Sequence, residues 1–453
     1  MMEKQNYKYQ YSLGGYKAVK SAKIDIESIT VVAGVNGCGK STLSRWLYYT
    51  TDIINRYNTL VYQEYLSGAW QLYMKYDNVK NELNVANSDP EAFAVFKLPN
   101  MITQMAVRQS TLENVEKIQE WLEVKLESLC HSLEEYIAGN GSLVEVDRLL
   151  IGLGVGQGSK TAGDDRVEKV MEAQKKIIDG LTARYKESIG RRSMKNFLSL
   201  IKANYQERDM PPRIALLENG VEIIGPKVNV MRTLQGLQRV IYVDSPMAVS
   251  VDAQSPSWWK VLRDNMNHDN LAFEPSKEAK NLMKIISELM RGEVRMKKSG
   301  IKGSAKELTF VSRDDEEIRL KDLATGFKTL TYIYRLLDNG VISDNTLLII
   351  DEPEAHLHPK WIAEFARILV LLNKKMGVKV FIATQSPQFV EALRAMANKE
   401  KTLDSTRFYL AVPSDDDDSR FTYRDLGQEA VDIFRSFNQI YDKIEEYGDE
   451  DYD

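Results

Sequence analysis

The run Gly34-Val35-Asn36-Gly37-Cys38-Gly39-Lys40-Ser41 constrains the fold more than any other stretch of this chain. An apolar strand pattern, Ile29 to Ala33, leads into it. A helical pattern over 41–59 follows, with Leu43, Trp46, Leu47 and Ile54 on one face. The spacing is G-x-x-x-x-G-K-[ST] in full. Its glycines let backbone N–H groups converge on phosphate oxygens at a helix N-terminus. Lys40 then reaches the β and γ phosphates of ATP, and the Ser41 hydroxyl is placed to ligate Mg²⁺. Asn36, Gly37, Cys38, Gly39 and Thr42 complete the expected nucleotide-binding set. Cys38 lies beside a helix N-terminus and Lys40, both of which favour a thiolate, so ATP-blocked alkylation is expected there.

Far along the chain a second pattern supplies carboxylates. Thr346-Leu347-Leu348-Ile349-Ile350 reads as a buried strand, and Asp351 and Glu352 stand at its end. Such a pair suits holding Mg²⁺ with Asp351 and orienting a water with Glu352. Strand patterns also occur at 7–11, 23–26, 213–224, 240–243, 307–311 and 378–383, with Asn219-Gly220 as a hairpin turn. Helical patterns cover 277–291, 325–337, 359–375 and 387–398. Alternation of strands and helices around a glycine loop predicts an α/β core with a parallel sheet.

Residues 111–137 and 164–206 have charged helical patterns, with Leu112, Val115, Ile118, Leu122, Leu126 and Leu129 on the first and Val167, Val170, Ile177 and Leu181 on the second. A glycine-rich break at 152–158 separates them. They predict a helical hairpin, a short coiled coil, inserted into the α/β unit. The division expected is an N-terminal lobe at 1–105, the insertion at 106–210, the rest of the α/β unit at 211–400, and a segment 401–453 with an acidic tail. Asp415 to Asp418 suit a solvated turn.

Composition narrows the class. The chain has 453 residues, 43% hydrophobic and 28% charged, with a net charge of −5 and two cysteines. Neither a disulfide framework nor a thiolate metal site is available, and no apolar run has the length of a membrane span. The expectation is a cytoplasmic protein with no membrane partner.

Taken together, these motifs resemble a P-loop ABC-type ATPase head of the soluble RecF/SMC/OLD-like group, over about 1–60 and 210–395. The string Asp351-Glu352-Pro353-Glu354-Ala355-His356-Leu357-His358-Pro359 carries that resemblance most specifically. It implies that Glu354 to His358 cross a dimer interface, and that Leu323-Ala324-Thr325-Gly326-Phe327 is the signature segment. Thr325 and Gly326 would then meet ATP held by a second copy. Three departures stand out: Ala324 replaces a signature serine, Gln385 replaces a switch histidine, and Asp244-Ser245-Pro246 follow strand 240–243 where the group places a magnesium-sensing glutamine. Glutamine bonds phosphate but does not titrate, so Gln385 implies slow or partner-dependent turnover.

The resemblance implies ATP and Mg²⁺ as cofactors and a homodimer or higher homo-oligomer. Some sixty-seven residues follow Ser386, too few for an appended nuclease of ordinary size. The resemblance to PARIS-type antiphage systems implies a separate Toprim effector instead, with the chain as its sensor and scaffold. The alternative is a RecF/SMC-like repair or chromosome-maintenance ATPase with DNA as partner.

Overall fold

In a computed structural model of the chain, residues 7–83, 107–139, 143–154, 163–244, 257–267, 273–298, 306–355 and 357–436 are described. His356, Ser245-Pro246, most of the glycine-rich break and the end of the acidic tail lie outside the described residues. The chain divides into two compact units, Met1–Asn55 with Phe197–Asp453, and Arg56–Asn196.

The first unit is built on a ten-stranded sheet ordered β5-β4-β1-β2-β13-β12-β3-β11-β10-β6. Its parallel heart comprises β12 (Thr406–Ser414), β3 (Ile29–Ala33), β11 (Lys379–Thr384), β10 (Thr346–Asp351) and β6 (Arg239–Val243). Every residue of β3 and β10 is buried, which is why both read as continuous apolar runs. The flank is antiparallel: β1 (Tyr9–Tyr16) pairs with β2 (Val19–Ile26) and β4 (Arg213–Glu218), and β4 with β5 (Val221–Ile224). The sheet is thus mixed, because hairpins extend the parallel core. Asn219 and Gly220 both take positive φ in the tight turn between β4 and β5.

Helices α6 (Ser257–Asn267), α7 (Lys277–Met290), α8 (Thr325–Asp338), α9 (Pro359–Met376) and α10 (Pro387–Lys399) contribute to the core. Trp259, Ile286, Ile333, Leu369 and Leu393 bury there with Ile350 and Ile382. A separate small sheet, β7 (Gly292–Lys298), β8 (Lys306–Ser312) and β9 (Glu317–Arg319), stands before α8.

Sequence patterning missed the C-terminal hairpin. Asp415 to Asp418 are exposed at the turn between β12 and β13 (Asp417–Gly427), as a solvated turn should be, but both strands beside them enter the main sheet. Lys20 Nζ donates to Ser414 Oγ at 2.6 Å and pairs with Asp416. Four consecutive acids masked the apolar strand residues on either side, Phe408 to Val412 and Phe421 to Tyr423.

The helix after the phosphate loop, α1 (Lys40–Glu82), runs past 59 and carries the chain into the second unit. That unit contains α2 (Val107–Ala138), α3 (Leu143–Gly152), which patterning did not anticipate, and α4 (Gly163–Gly190). α2 and α4 pack antiparallel, with Gln119 donating to Asp179 at 3.0 Å and Lys186 facing Glu116 at 3.1 Å. Val115, Ile118, Leu122, Val167, Val170 and Ile178 are buried, whereas Leu112 and Ile177 are exposed. The helix expected over 164–206 breaks after Gly190. Ser193 Oγ accepts from the Asn196 N–H at 3.2 Å at the start of α5 (Met194–Tyr205).

Candidate functional site

The register of the parallel strands gathers the chemistry-bearing residues. Ile350 faces Val243, Asp351 faces Ala383, and Thr384 faces Ala33, so the C-terminal ends of β6, β10, β11 and β3 lie level. Asp244, Asp351-Glu352, Gln385 and the loop from Gly34 follow those ends, where α/β sheets hold ligands.

The loop needs its glycines. A Cβ at Gly39, where φ is +93°, would stand 2.7 Å from Val19 Cγ2, and one at Gly34 would stand 2.8 Å from both Ala411 Cβ and Cys38 Sγ. Lys40 is 5% exposed, and its ammonium donates to the carbonyls of Gly34 at 2.8 Å and Val35 at 2.9 Å. Val35, Asn36 and Gly37 face solvent, whereas Ser41 and Thr42 are half-buried in the first turn of α1. Cys38 departs from expectation. Its side chain is fully buried, and burial pushes the thiol up while the Lys40 ammonium only partly offsets it. The expected reactive thiolate is therefore not built here.

Asp351 is 2% exposed. Burial raises its carboxyl to about 6, Asp244 adds to the rise, and the hydroxyls of Ser41 and Tyr242 with the Arg45 guanidinium draw it back. Tyr242 donates to Oδ2 at 3.0 Å, and Oδ1 is buried with no partner. A buried carboxylate oxygen without a donor, beside a serine hydroxyl, fits a hard divalent cation such as Mg²⁺. Among the described residues no group of three or more His, Cys, Asp or Glu gathers to hold a metal. A cation at Asp351 and Ser41 would take its other ligands from phosphate and water, as Mg²⁺ at phosphate sites does.

Glu352 is half-buried with φ at +50°, a conformation uncommon for a residue with a Cβ. Its N–H donates to Ala383 O at 2.8 Å, tying the turn to β11. The next link is Glu354, whose Oε1 accepts from the Gln385 N–H at 2.9 Å. Burial raises the Glu354 carboxyl, and its Oε2 has no partner. Ser386 caps α10 by accepting from Phe389 N–H at 3.1 Å. The loop bearing Gln385 is thus fixed from both sides. His358 caps α9, its Nδ1 accepting from Lys360 N–H at 3.3 Å, which accounts for its place without a metal.

The segment expected to serve as the signature, 323–327, lies at the start of α8. Ala324 is its N-cap and gives no side-chain hydrogen bond, so the first N–H groups, at Thr325 and Gly326, have no side-chain cap. Leu323, Ala324 and Phe327 line a cavity of ≈ 500 Å³ together with Arg291 and Arg313.

Three residues here escaped sequence reasoning. Arg45 Nη2 pairs with Asp244 at 3.4 Å, and its guanidinium lies 5.3 Å from the Trp258 ring. Its spacing of four from Ser41 on one helix was a usable signal. Tyr242 ends a buried strand and looked like core. Tyr423 donates to the Cys38 carbonyl at 3.0 Å from 385 residues away, a distance no local pattern spans. The two glutamines just before β6 are engaged elsewhere: the Gln235 side chain donates to Thr233 at 3.0 Å, and the Gln238 side chain accepts from Asn345 at 3.1 Å.

Parallel core, phosphate loop and acidic strand end together give an α/β fold of the P-loop type. Among known families, the model "AAA domain, putative AbiEii toxin, Type IV TA system" matches residues 174–391, which include the acidic strand but not the phosphate loop. Protein ea59 of Escherichia phage lambda is 30% identical over 139 residues, 30% of this chain and 24% of that protein. The match therefore spans about a quarter of that relative's length. Among solved structures, the SMC head domain from Thermotoga maritima aligns over 92% of this chain and 98% of its own, at 12% identity and a TM-score of 0.35. The structure of cbiO1 from Clostridium perfringens, described as part of the ABC transporter complex cbiONQ, aligns over 56% of this chain and 82% of its own at 14% identity and a TM-score of 0.28. Among the described residues no helix is long and apolar enough to cross a membrane.

Proposed function

We propose that this chain binds ATP with Mg²⁺ and hydrolyses it slowly, two copies closing on the nucleotide, and that this cycle governs a separate effector protein in antiphage defence. The observation that carries the reading is the meeting of Asp351-Glu352 with Lys40-Ser41 and Gln385 at level strand ends. Loop N–H groups and Lys40 hold the phosphate chain; Ser41 and Asp351 would hold the cation, which would supply charge neutralisation. Glu352 orients a water toward the γ-phosphorus and takes its proton as the bond to the ADP oxygen breaks. Gln385 steadies that water or the phosphate by hydrogen bonding, without titrating. The uncapped N–H groups at Thr325 and Gly326 suit the γ-phosphate of ATP bound to a second copy.

Support for the defence role comes from the AbiEii-type family match, from the match to a phage protein, and from the resemblance to PARIS ATPases such as AriA. The effector, a Toprim nuclease in that resemblance, would be a separate chain, and the cytoplasm its place of action. Glu352→Gln tests the chemistry: it should retain ATP, lose hydrolysis about a hundredfold or more, and shift the protein to a dimer with ATP. Hydrolysis at the wild-type rate would remove Glu352 from this role. ATPase activity stimulated by DNA, with no co-purifying protein, would favour a repair or chromosome-maintenance ATPase instead.

A further inference from the structure

The phosphate loop is braced from the opposite end of the chain. β12 pairs with β3 up to Leu410 against Ala33, the residue that leads into the loop. The next residue, Ala411, packs so closely under Gly34 that a Cβ there would stand 2.8 Å from its own. From β13, Tyr423 reaches the other side of the loop. Its ring is buried, and its hydroxyl donates to the Cys38 carbonyl at 3.0 Å. The same oxygen would lie 3.5 Å from a Cβ at Gly39. Both strands of the hairpin therefore touch the loop, one at its entry and one at its exit.

A loop that holds phosphate must point N–H groups inward and keep carbonyl oxygens, which repel phosphate, turned away. A buried carbonyl also needs a donor. Tyr423 meets both needs at Cys38, and burial keeps its phenol protonated and able to donate. We propose that Tyr423 is a positioning residue for nucleotide binding: through the Cys38 carbonyl it presets the phosphate loop. The proposal rests on the reading of that loop as the ATP site.

Tyr423→Phe removes one oxygen and leaves the ring, so it isolates the hydrogen bond. With ATP and Mg²⁺ as probe, the variant should raise Kd and KM about five- to tenfold while kcat stays within about twofold. In the nucleotide-free protein, iodoacetamide should alkylate Cys38 faster than in wild type, because the loop opens more often. A purely structural bond would lower the melting temperature without this KM-against-kcat split. Lys40→Ala serves as the reference. If Lys40→Ala abolishes binding while Tyr423→Phe leaves Kd and the alkylation rate unchanged, Tyr423 only packs and the inference falls. If Lys40→Ala binds ATP as wild type does, the reading of the loop falls and takes the inference with it.

Discussion

Asp351 shows how one side chain links function to stability. Burial holds its carboxyl at about 6 in the folded protein, against about 3.9 in an unfolded chain. Protonation thus favours the folded state; that contribution is complete below about pH 4 and lost as pH rises through about 6. The cause is a buried Oδ1 with no donor, an arrangement that a cation would relieve and an apo protein bears as a cost. Asp351→Asn should therefore stabilise the metal-free protein by about 2–3 kcal/mol near pH 8, with the gain closing toward about pH 4. Thermal melts in the presence of chelator across that range check it. A difference independent of pH would show that the substitution acts through packing. The same residue is where function resists improvement, since the stabilised variant should lose its metal-dependent nucleotide affinity.

At the scale of elements, the turn after β10 and the loop after β11 work as one piece. Glu352 N–H holds Ala383 O, and Glu354 holds the Gln385 N–H. Glu354→Ala leaves that N–H buried without an acceptor, a loss of about 1–3 kcal/mol, and frees the loop that carries Gln385. Steady-state ATPase assays should show kcat falling about tenfold with ATP affinity kept, while Glu354→Gln, which retains an acceptor, keeps most of the rate. Equal losses in both variants would point to the charge rather than the hold on the loop. The elements themselves were legible to unequal degrees. β3, β10, α9 and α10 stood out because each is uniformly buried or capped by local chemistry. The β12–β13 hairpin did not, since Asp415 to Asp418 read as solvent-facing while the strands around them are specified by pairing with β3 and β2. The break after Gly190 was hidden for a related reason: helical periodicity continues across it, and only the Ser193 cap marks the new start. The site followed the same rule. Lys40, Ser41, Asp351 and Glu352 are declared by contiguous motifs, whereas Tyr242 and Tyr423 join it only through sheet register.

For the whole molecule, the consequential fact is that the residues proposed for the nucleotide site belong to one compact unit. Gly34 to Thr42, Asp351, Glu352 and Gln385 all fall within Met1–Asn55 and Phe197–Asp453, and Arg56–Asn196 contributes none of them. The second unit has a hydrophobic core of its own, in which Leu122, Leu126, Leu129 and Val170 are buried, with Tyr76 donating to a buried Gln174 at 3.1 Å. Units with separate cores need not unfold together. A ligand stabilises only the state that binds it, by about 2.7 kcal/mol at a hundredfold excess over Kd. Calorimetry of the intact chain should therefore resolve two transitions, and ATP with Mg²⁺ should raise one and leave the other in place. Glu352→Gln, if it retains ATP as expected, should enlarge the shift, and Lys40→Ala should abolish it. A single transition that moves as a whole with nucleotide would mean that α1, which runs from the phosphate loop into the second unit, couples the two cores tightly enough to melt as one. In that event the helix is the route by which nucleotide state reaches whatever the second unit holds. With two transitions and only one shifted by nucleotide, binding and the folding of the second unit are uncoupled within one chain, and a link between them would have to run through the proposed dimer.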